Sequence, residues 1–302
     1  MPVSTSQIPG LLLPGVRKLK GDYAEVPAVW PKLFSSGNSE MQTERTLSMR
    51  YLPLPALKGQ GQQTYFDQGA GQRYAYTHTH IAVGLGYVFT REALDDNLYK
   101  SAFNPTNLGL LKSFKQFKEI VAADVFNTGN TYNAANGGDG VALFSTAHPV
   151  DGYSVQNTPT NQIQLSESSL MLAANQIRRF RDNAGLQVGA QARLLLVPLE
   201  LRHIAKRLSE AHLRPGTANN DIASMKENDD FRDGYIVNQY LTSPYAWFVL
   251  SDQGGFIHLS RTPFESSMHV DFTTDNLMVK GYERYYLGYD DWRAGWGTFP
   301  TN

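Results

Sequence analysis

The segment from Glu44 to Phe89 constrains this chain more than any other, because it reads as one long β-hairpin with nothing of its own to pack against. Its outgoing arm alternates, with Leu47, Met49 and Tyr51 on one side and Thr46, Ser48 and Arg50 on the other. Pro53 and Pro55 then sit two apart, which only an edge strand or extended chain tolerates. The tip, Lys58 to Gln72, carries Gly59, Gly61, Gly69 and Gly71 and cannot build a core. The return arm, Arg73 to Phe89, would span roughly 55 Å at about 3.3 Å per residue, where globular strands usually have about 5–6 residues. An arm of that length leaves its own domain and needs a neighbouring molecule to cover it. The first expectation is assembly, not catalysis.

Composition narrows the remaining classes. The chain has 302 residues, 41% of them hydrophobic, enough for one large or two medium domains. With 27 Lys+Arg against 28 Asp+Glu, the net charge of −1 lacks the clustered positive excess of a dedicated nucleic-acid binder. Weak, non-specific contact with a polyanion stays open. The absence of cysteine excludes disulfides, thiolate metal sites and a Cys nucleophile. No apolar run approaches the ~20 residues of a membrane span. The apolar patch from Ile8 to Val16 has no basic stretch before it and contains two prolines, so no signal peptide is expected. Sixteen Tyr, 15 Phe and 26 Gly favour a β-rich protein with many turns.

The residues before the hairpin, 1–43, are Pro-rich yet too apolar for a free tail (Leu11, Leu12, Leu13, Val26, Val29, Trp30, Leu33, Phe34), and read as an extended arm that docks on something, such as another subunit. After it, Thr90 is an N-cap candidate. Asn104-Pro105 should break or kink the helical segment of about 90–127, whose apolar residues Leu108, Leu111, Phe114, Phe117, Val121 and Val125 recur every three or four positions. A short strand is expected at Val141–Ser145, and a second amphipathic helix from Ser166 through Leu170, Ala173, Ala174, Ile177 and Phe180, stopped at Gly185. Leu194-Leu195-Leu196-Val197 reads as a central strand buried on both faces, leading into a helix with Leu201, Ile204 and Leu208. Residues 212–234 look like a polar excursion. Strands are expected at Tyr235–Leu241, Ala246–Leu250, Phe256–Ser260, Met268–Phe272 and Leu277–Asp290.

This order of parts resembles the major capsid proteins of tailed bacteriophages, the Hong Kong 97 fold, over essentially the whole chain. Leu143-Phe-Ser-Thr-Ala-His-Pro149 looks like the strand and turn after the spine helix of those proteins. Arg193-Leu-Leu-Leu-Val-Pro198 looks like the strand entering the A-domain, and Tyr285-Tyr-Leu-Gly-Tyr-Asp-Asp-Trp-Arg293 like the last P-domain strand. Pro31-Lys-Leu-Phe34 with Thr90-Arg-Glu-Ala-Leu-Asp-Asp96 is similar to the head subunits of Mu-like phages. The resemblance implies an α+β fold with an N-arm at 1–43, an E-loop hairpin at 44–89 and a P-domain with a long spine helix at 90–190. An A-domain at 191–265 and strands returning to the P-domain at 266–302 complete it. It implies a structural shell protein in the virion, assembled in the host cytoplasm as hexameric and pentameric capsomers around non-specifically held double-stranded DNA. A scaffolding protein, a portal and a cement protein are the implied partners, with no membrane and no cofactor. The long, charged N-terminal extension of many relatives is missing here. That implies a separate scaffolding protein or a chain in mature form, and Met1 favours the former.

Chemical signatures are sparse. His78 and His80 share a strand face with Tyr74 and Tyr76 at a spacing that suits a metal pair, but no third ligand is near in sequence, and a polar face at a contact explains them better. Gly84-Leu-Gly86 fails the dinucleotide pattern at its last glycine, and there is no Gly-x-Ser-x-Gly elbow. Asp229-Asp230 and Asp290-Asp291 are adjacent pairs whose side chains diverge, as in solvated turns. Some relatives crosslink an E-loop lysine to a neighbour's asparagine. Lys58 is the only charged tip residue before Asp67, no partner Asn or Glu is marked, and an ordinary surface lysine is expected. Trp292, Trp296 and Phe299 read as a packing anchor. The residues expected to touch neighbouring subunits are Trp30, Phe34, Lys58, Tyr65, Phe66, Tyr74, Tyr76, His78 and His80, with no catalytic or metal residue. Two other readings are kept: an encapsulin-like nanocompartment shell, and a soluble hydrolase or metalloenzyme resting only on the His pair and scattered carboxylates.

Overall fold

The computed structural model describes residue 23 and residues 27–96, 99–210 and 230–301. The start of the expected arm and most of the polar stretch 212–234 lie outside the described residues. In chain order the first elements are β1 (Ser35–Asn38), β2 (Thr43–Arg50), β3 (Gly71–Thr79), β4 (Ile81–Phe89), α1 (Arg91–Asp95) and α2 (Tyr99–Asn127). Then come β5 (His148–Val150), β6 (Tyr153–Val155), α3 (Glu167–Arg178), β7 (Ala192–Val197) and α4 (Arg202–Glu210). The last are β8 (Tyr235–Val237), β9 (Trp247–Ser251), β10 (Phe256–Val270), β11 (Leu277–Tyr289) and β12 (Gly295–Thr298).

The alternating C-terminal stretches form the scaffold. β10 and β11 pair antiparallel from Phe256↔Tyr289 to Val270↔Leu277, with β1 added parallel to β10 and β4 antiparallel to β11. On β11 the residues alternate between buried and exposed, and the buried set (Leu277, Val279, Gly281, Glu283, Tyr285) lies under α2. Leu110, Leu111 and Phe114 of α2 pack there against Phe264 and Val279. The helix approaches so closely at Gly281 that a Cβ there would lie 2.8 Å from the rings of both Phe114 and Phe264. A second sheet, in the order β12-β9-β7-β8, carries the larger core. The apolar run 194–197 occupies its interior position, antiparallel to β9 and parallel to β8, as expected of a strand buried on both faces. Phe126, the last residue but one of α2, joins the two sheets. Its ring lies 4.9 Å from that of Phe256 on β10, 5.3 Å from Phe248 on β9 and 6.1 Å from Phe34.

Several local expectations hold. Ser166 caps α3 with a reciprocal capping box to Ser169, and Leu170, Ala173, Ala174 and Ile177 are buried. The Ala93 N–H donates to Thr90 Oγ1 at 3.4 Å, at the start of α1. Others do not hold. The expected break at Asn104-Pro105 does not occur, and α2 runs through Pro105. A proline inside a helix loses one N–H bond and clashes with the preceding turn, together about 3 kcal/mol, which a 29-residue helix packed along a sheet absorbs. Val141–Ser145 forms no strand; the local pairing is β5 with β6. The α3 helix ends at Arg178, before Gly185, which instead turns the following loop at φ +84°. The two strands expected at 256–260 and 268–272 are one, β10, carried through by register shifts between Ser260 and Glu265.

The largest correction concerns the hairpin. β2 pairs only with β3, and the return arm divides at His80. Beyond it, β4 leaves β2 and runs along β11 from Ile81↔Tyr285 to Phe89↔Leu277. Continuous β propensity across 73–89 gives no sign of a change of partner, because both halves are strand.

One buried polar residue pins the C-terminal core. Asn157 Nδ2 donates to the carbonyls of Leu143 (2.8 Å), Trp292 (3.1 Å) and Gly295 (3.2 Å), while its Oδ1 accepts from the Ser145 N–H at 2.8 Å. His148, stacked on Trp292 at 4.2 Å, reaches the same Oδ1 at 3.0 Å. Each buried group left unpaired costs about 1–3 kcal/mol. Asn157→Ala is therefore expected to destabilise the protein by about 3 kcal/mol or more, read from the urea midpoint, whereas Asn130→Ala in the exposed loop after α2 should leave it unchanged.

Candidate assembly surface

The hairpin has a buried base, a polar collar and an uncovered tip. At the base, the expected common face of β3 exists, but it faces inward. The Tyr76 ring lies 5.9 Å from Tyr289 and the His78 ring 4.8 Å from Tyr286. His78 Nε2 contacts Thr46 Oγ1 at 2.9 Å, and His80 Nε2 contacts Ser39 Oγ at 2.7 Å. Burial pushes the His78 imidazole down to about 4, with its neighbour His80 adding to the fall and Glu44 opposing it. His80 is lowered by burial and by the Arg284 and Arg261 cations. Among the described residues no three His, Cys, Asp or Glu side chains are grouped to hold a metal ion.

The collar is built from charges and amides that no sequence spacing marks. Arg50 bonds Asp67 across the root of the tip (2.8 Å) and Asp151 of the β5–β6 turn (2.9 Å). The Arg50 hydrogen bond is the main reason the Asp67 carboxyl lies below its usual range. Asn183 Nδ2 donates to Ser48 Oγ (2.6 Å) and the Met49 carbonyl (2.9 Å), and its own groups are held by Arg73 and Arg293, each at 2.9 Å. The Tyr74 hydroxyl donates to the Pro149 carbonyl. A cleft of ≈ 390 Å³ runs beneath β2, lined by Leu47, Tyr51, Asn183, Asp290 and Arg293 among others. There burial, then the neighbouring Asp291, raises Asp290 to about 6.

Beyond the collar, residues 51–70 form no strand and carry Tyr51, Leu52, Leu54, Leu57, Tyr65 and Phe66 into solvent. Leu54 is 72% and Phe66 71% exposed, in a protein that elsewhere buries all four tryptophans. Lys58 is exposed on the same tip.

The nine residues expected at subunit contacts thus divide. Lys58, Tyr65 and Phe66 are presented outward, and Tyr74 is partly buried in the collar. Trp30, Phe34, Tyr76, His78 and His80 are buried within their own subunit and have almost no surface left for a neighbour. Their apolar and aromatic character, which sequence alone assigned to an external contact, is used by β10, β11 and α2.

Comparison with known proteins decides what such a molecule is. A family model described as phage capsid protein matches residues 76–297. The chain belongs to that family. It is a structural major capsid protein of the virion, with a Hong Kong 97-like fold. Similar solved structures include the mature capsid of bacteriophage PhiM1, 10% identical, with TM-score 0.61, covering 91% of this chain and 88% of that one. Microbacterium phage Oxtober96 is 12% identical with TM-score 0.55, covering 91% of each chain. The virus-like particle from Pyrococcus furiosus is 11% identical with TM-score 0.55, covering 94% of this chain and 97% of that one. No curated protein matches the chain.

The capsid protein's collar sets how firmly the tip is aimed. Arg50→Ala removes both collar ion pairs while leaving the base intact. Protease cleavage within residues 51–70 should rise several-fold, with the urea midpoint of the whole subunit unchanged.

Proposed function

We propose that the capsid protein closes into an icosahedral shell around double-stranded phage DNA by laying its hairpin tip on neighbouring subunits. The observation that carries this is the exposed apolar set on residues 51–70, held away from the core by a buried base. So many large apolar side chains exposed on one segment mark an interaction site. The subunits are hexameric and pentameric capsomers in this reading, formed in the host cytoplasm with a scaffolding protein and a portal, and strengthened by a cement protein where the shell needs one. The net charge of −1 suits subunits that crowd together without strong repulsion, and DNA contact at the inner face is sequence-independent. The role is mechanical, with no catalytic step. An encapsulin-like shell shares the architecture, but the phage family match over most of the chain favours DNA as cargo.

The register gives a clean test. Arg50 pairs directly with Gly71, so residues 51–70 can be replaced by a two-residue Asn-Gly turn without shifting the ladder. The variant should keep its circular dichroism and lose closed particles in electron micrographs, since ~1–2 kcal/mol lost per contact shifts each association about five- to thirty-fold and a shell compounds the loss. Particles at wild-type yield would remove the tip from the assembly mechanism. Lys58 has no marked partner and should form no covalent bond to a neighbour. Denaturing gels of mature particles are expected to show only the 33.7 kDa chain, and a covalent ladder lost on Lys58→Arg would contradict this.

A further inference from the structure

Beneath the arm lies a cluster of buried polar side chains that the shell function does not use. The arm is fastened to α2 through Glu119, whose carboxylate accepts from the N–H groups of Val29 and Trp30, the latter at 3.2 Å. The Trp30 ring then lies over the His258 imidazole at 4.3 Å, and both are buried. Neither His258 nitrogen has a hydrogen-bond partner among the protein groups, and the same holds for Nε1 of the Trp30 ring beside it and for the hydroxyl of Tyr285, whose ring lies 6.0 Å away.

Charged and titratable groups face this imidazole from each element packed on it. α2 supplies the Lys118 ammonium, which also lies 5.5 Å from the Trp30 ring and 4.3 Å from that of Tyr285. β11 supplies Tyr285 and Glu283; Glu283 Oε2 is already taken by Lys118 at 2.7 Å and by the Tyr23 hydroxyl at 2.9 Å. The hairpin base supplies His80, with Arg261 and Arg284 beyond it.

We propose that His258 is a proton-operated latch on the N-terminal arm. Neutral, it accepts the Trp30 ring across its face. Protonated, it is a second cation beside Lys118, buried without an acceptor of its own, and the arm must lift to let water reach it. Glu283 on β11 is bonded through Oε2 to Lys118 and Tyr23, and Glu119 on α2 to the arm's own N–H groups; neither carboxylate is bonded to the imidazole. The inference is independent of the shell reading, since it concerns how one segment of the subunit holds to the rest.

The sign follows from linkage. With the arm docked, burial first, then Lys118 and His80, push His258 from its ordinary 6.5 down to about 4. With the arm lifted, the ring meets water and regains the ordinary value. Docking is thus at full strength above pH 6.5 and weakens as pH falls towards 4, by about 80-fold between pH 8 and 4.5.

The test is hydrogen exchange of the full chain at a series of pH values, corrected for intrinsic rates. The amides of Val29 and Trp30, which donate to Glu119 of α2, report the arm, and β9 reports the core. Expected is a loss of arm protection approaching 80-fold by pH 4.5, with β9 unchanged. His258→Gln should abolish the loss and His80→Gln should keep it. Arm and β9 protection falling together, an arm indifferent to pH, or the full loss persisting in His258→Gln would each overturn the latch. Trp30→Ala tests it without altering the histidine. The His258 imidazole, followed by NMR, should then titrate in the ordinary histidine range, and a value still near 4 would show that the arm is not what keeps the proton off.

Discussion

The pairing of β11 on both edges is the constraint on which the rest of the subunit depends. It bonds β10 along its length on one side and β4 from Leu277 to Tyr285 on the other, so over that shared stretch neither twist nor register can change at one edge without the other. Its buried face then fixes the long helix. Gly281 sets how close the helix comes, and Glu283 sets its position along the strand through Lys118. That ion pair is almost wholly out of water, and losing one partner of such a pair typically costs about 3–5 kcal/mol. Apolar packing alone would tolerate small slides of a helix on a sheet, whereas a buried charge must meet its one partner.

The hairpin base is secured to the same strand by different means. Tyr76 and His78 lie against Tyr289 and Tyr286, so the ribbon that reaches outward begins inside the core. Burying two histidines keeps them neutral only above the acid range, which ties the hairpin root, like the arm, to pH. The collar of Arg50, Asn183 and Arg293 then bridges ribbon and body with hydrogen bonds, where apolar packing is not available.

Much of this was legible in the sequence. The 194–197 run, the capped helix at Ser166 and the apolar stripe from Leu108 to Val125 are local patterns, and local patterns survive folding. The exposed tip was legible too, because glycines and glutamines exclude a core. What failed were questions of partner. Nothing in Arg73–Phe89 says that the strand changes neighbours at His80, because strand propensity does not record which edge it will meet. Trp30 and Phe34 were apolar enough to need covering, but composition cannot tell a neighbour's surface from the subunit's own helix. Asn157 and Asn183, whose side chains each join several distant segments, look like ordinary loop amides until those segments are brought around them.

The division of the hairpin at His80 leaves a two-stranded ribbon fastened at both ends, at its base by Tyr76 and His78 against β11 and at its outer end by the collar. Its two strands stay paired over eight register positions, from Thr43↔Thr79 to Arg50↔Gly71, which at about 3.3 Å per residue is a stiff ribbon of roughly 25 Å. Only residues 51–70 extend past the outer fastening, so any freedom of the tip begins at Arg50 and Gly71 and leaves the ribbon in place. In the assembly proposed above, identical chains would meet neighbours inclined at different angles through residues 51–70 alone, while ribbon and core keep one shape. Curvature would then be taken up in that one segment, and a closed surface with more than one local geometry would need no second kind of subunit.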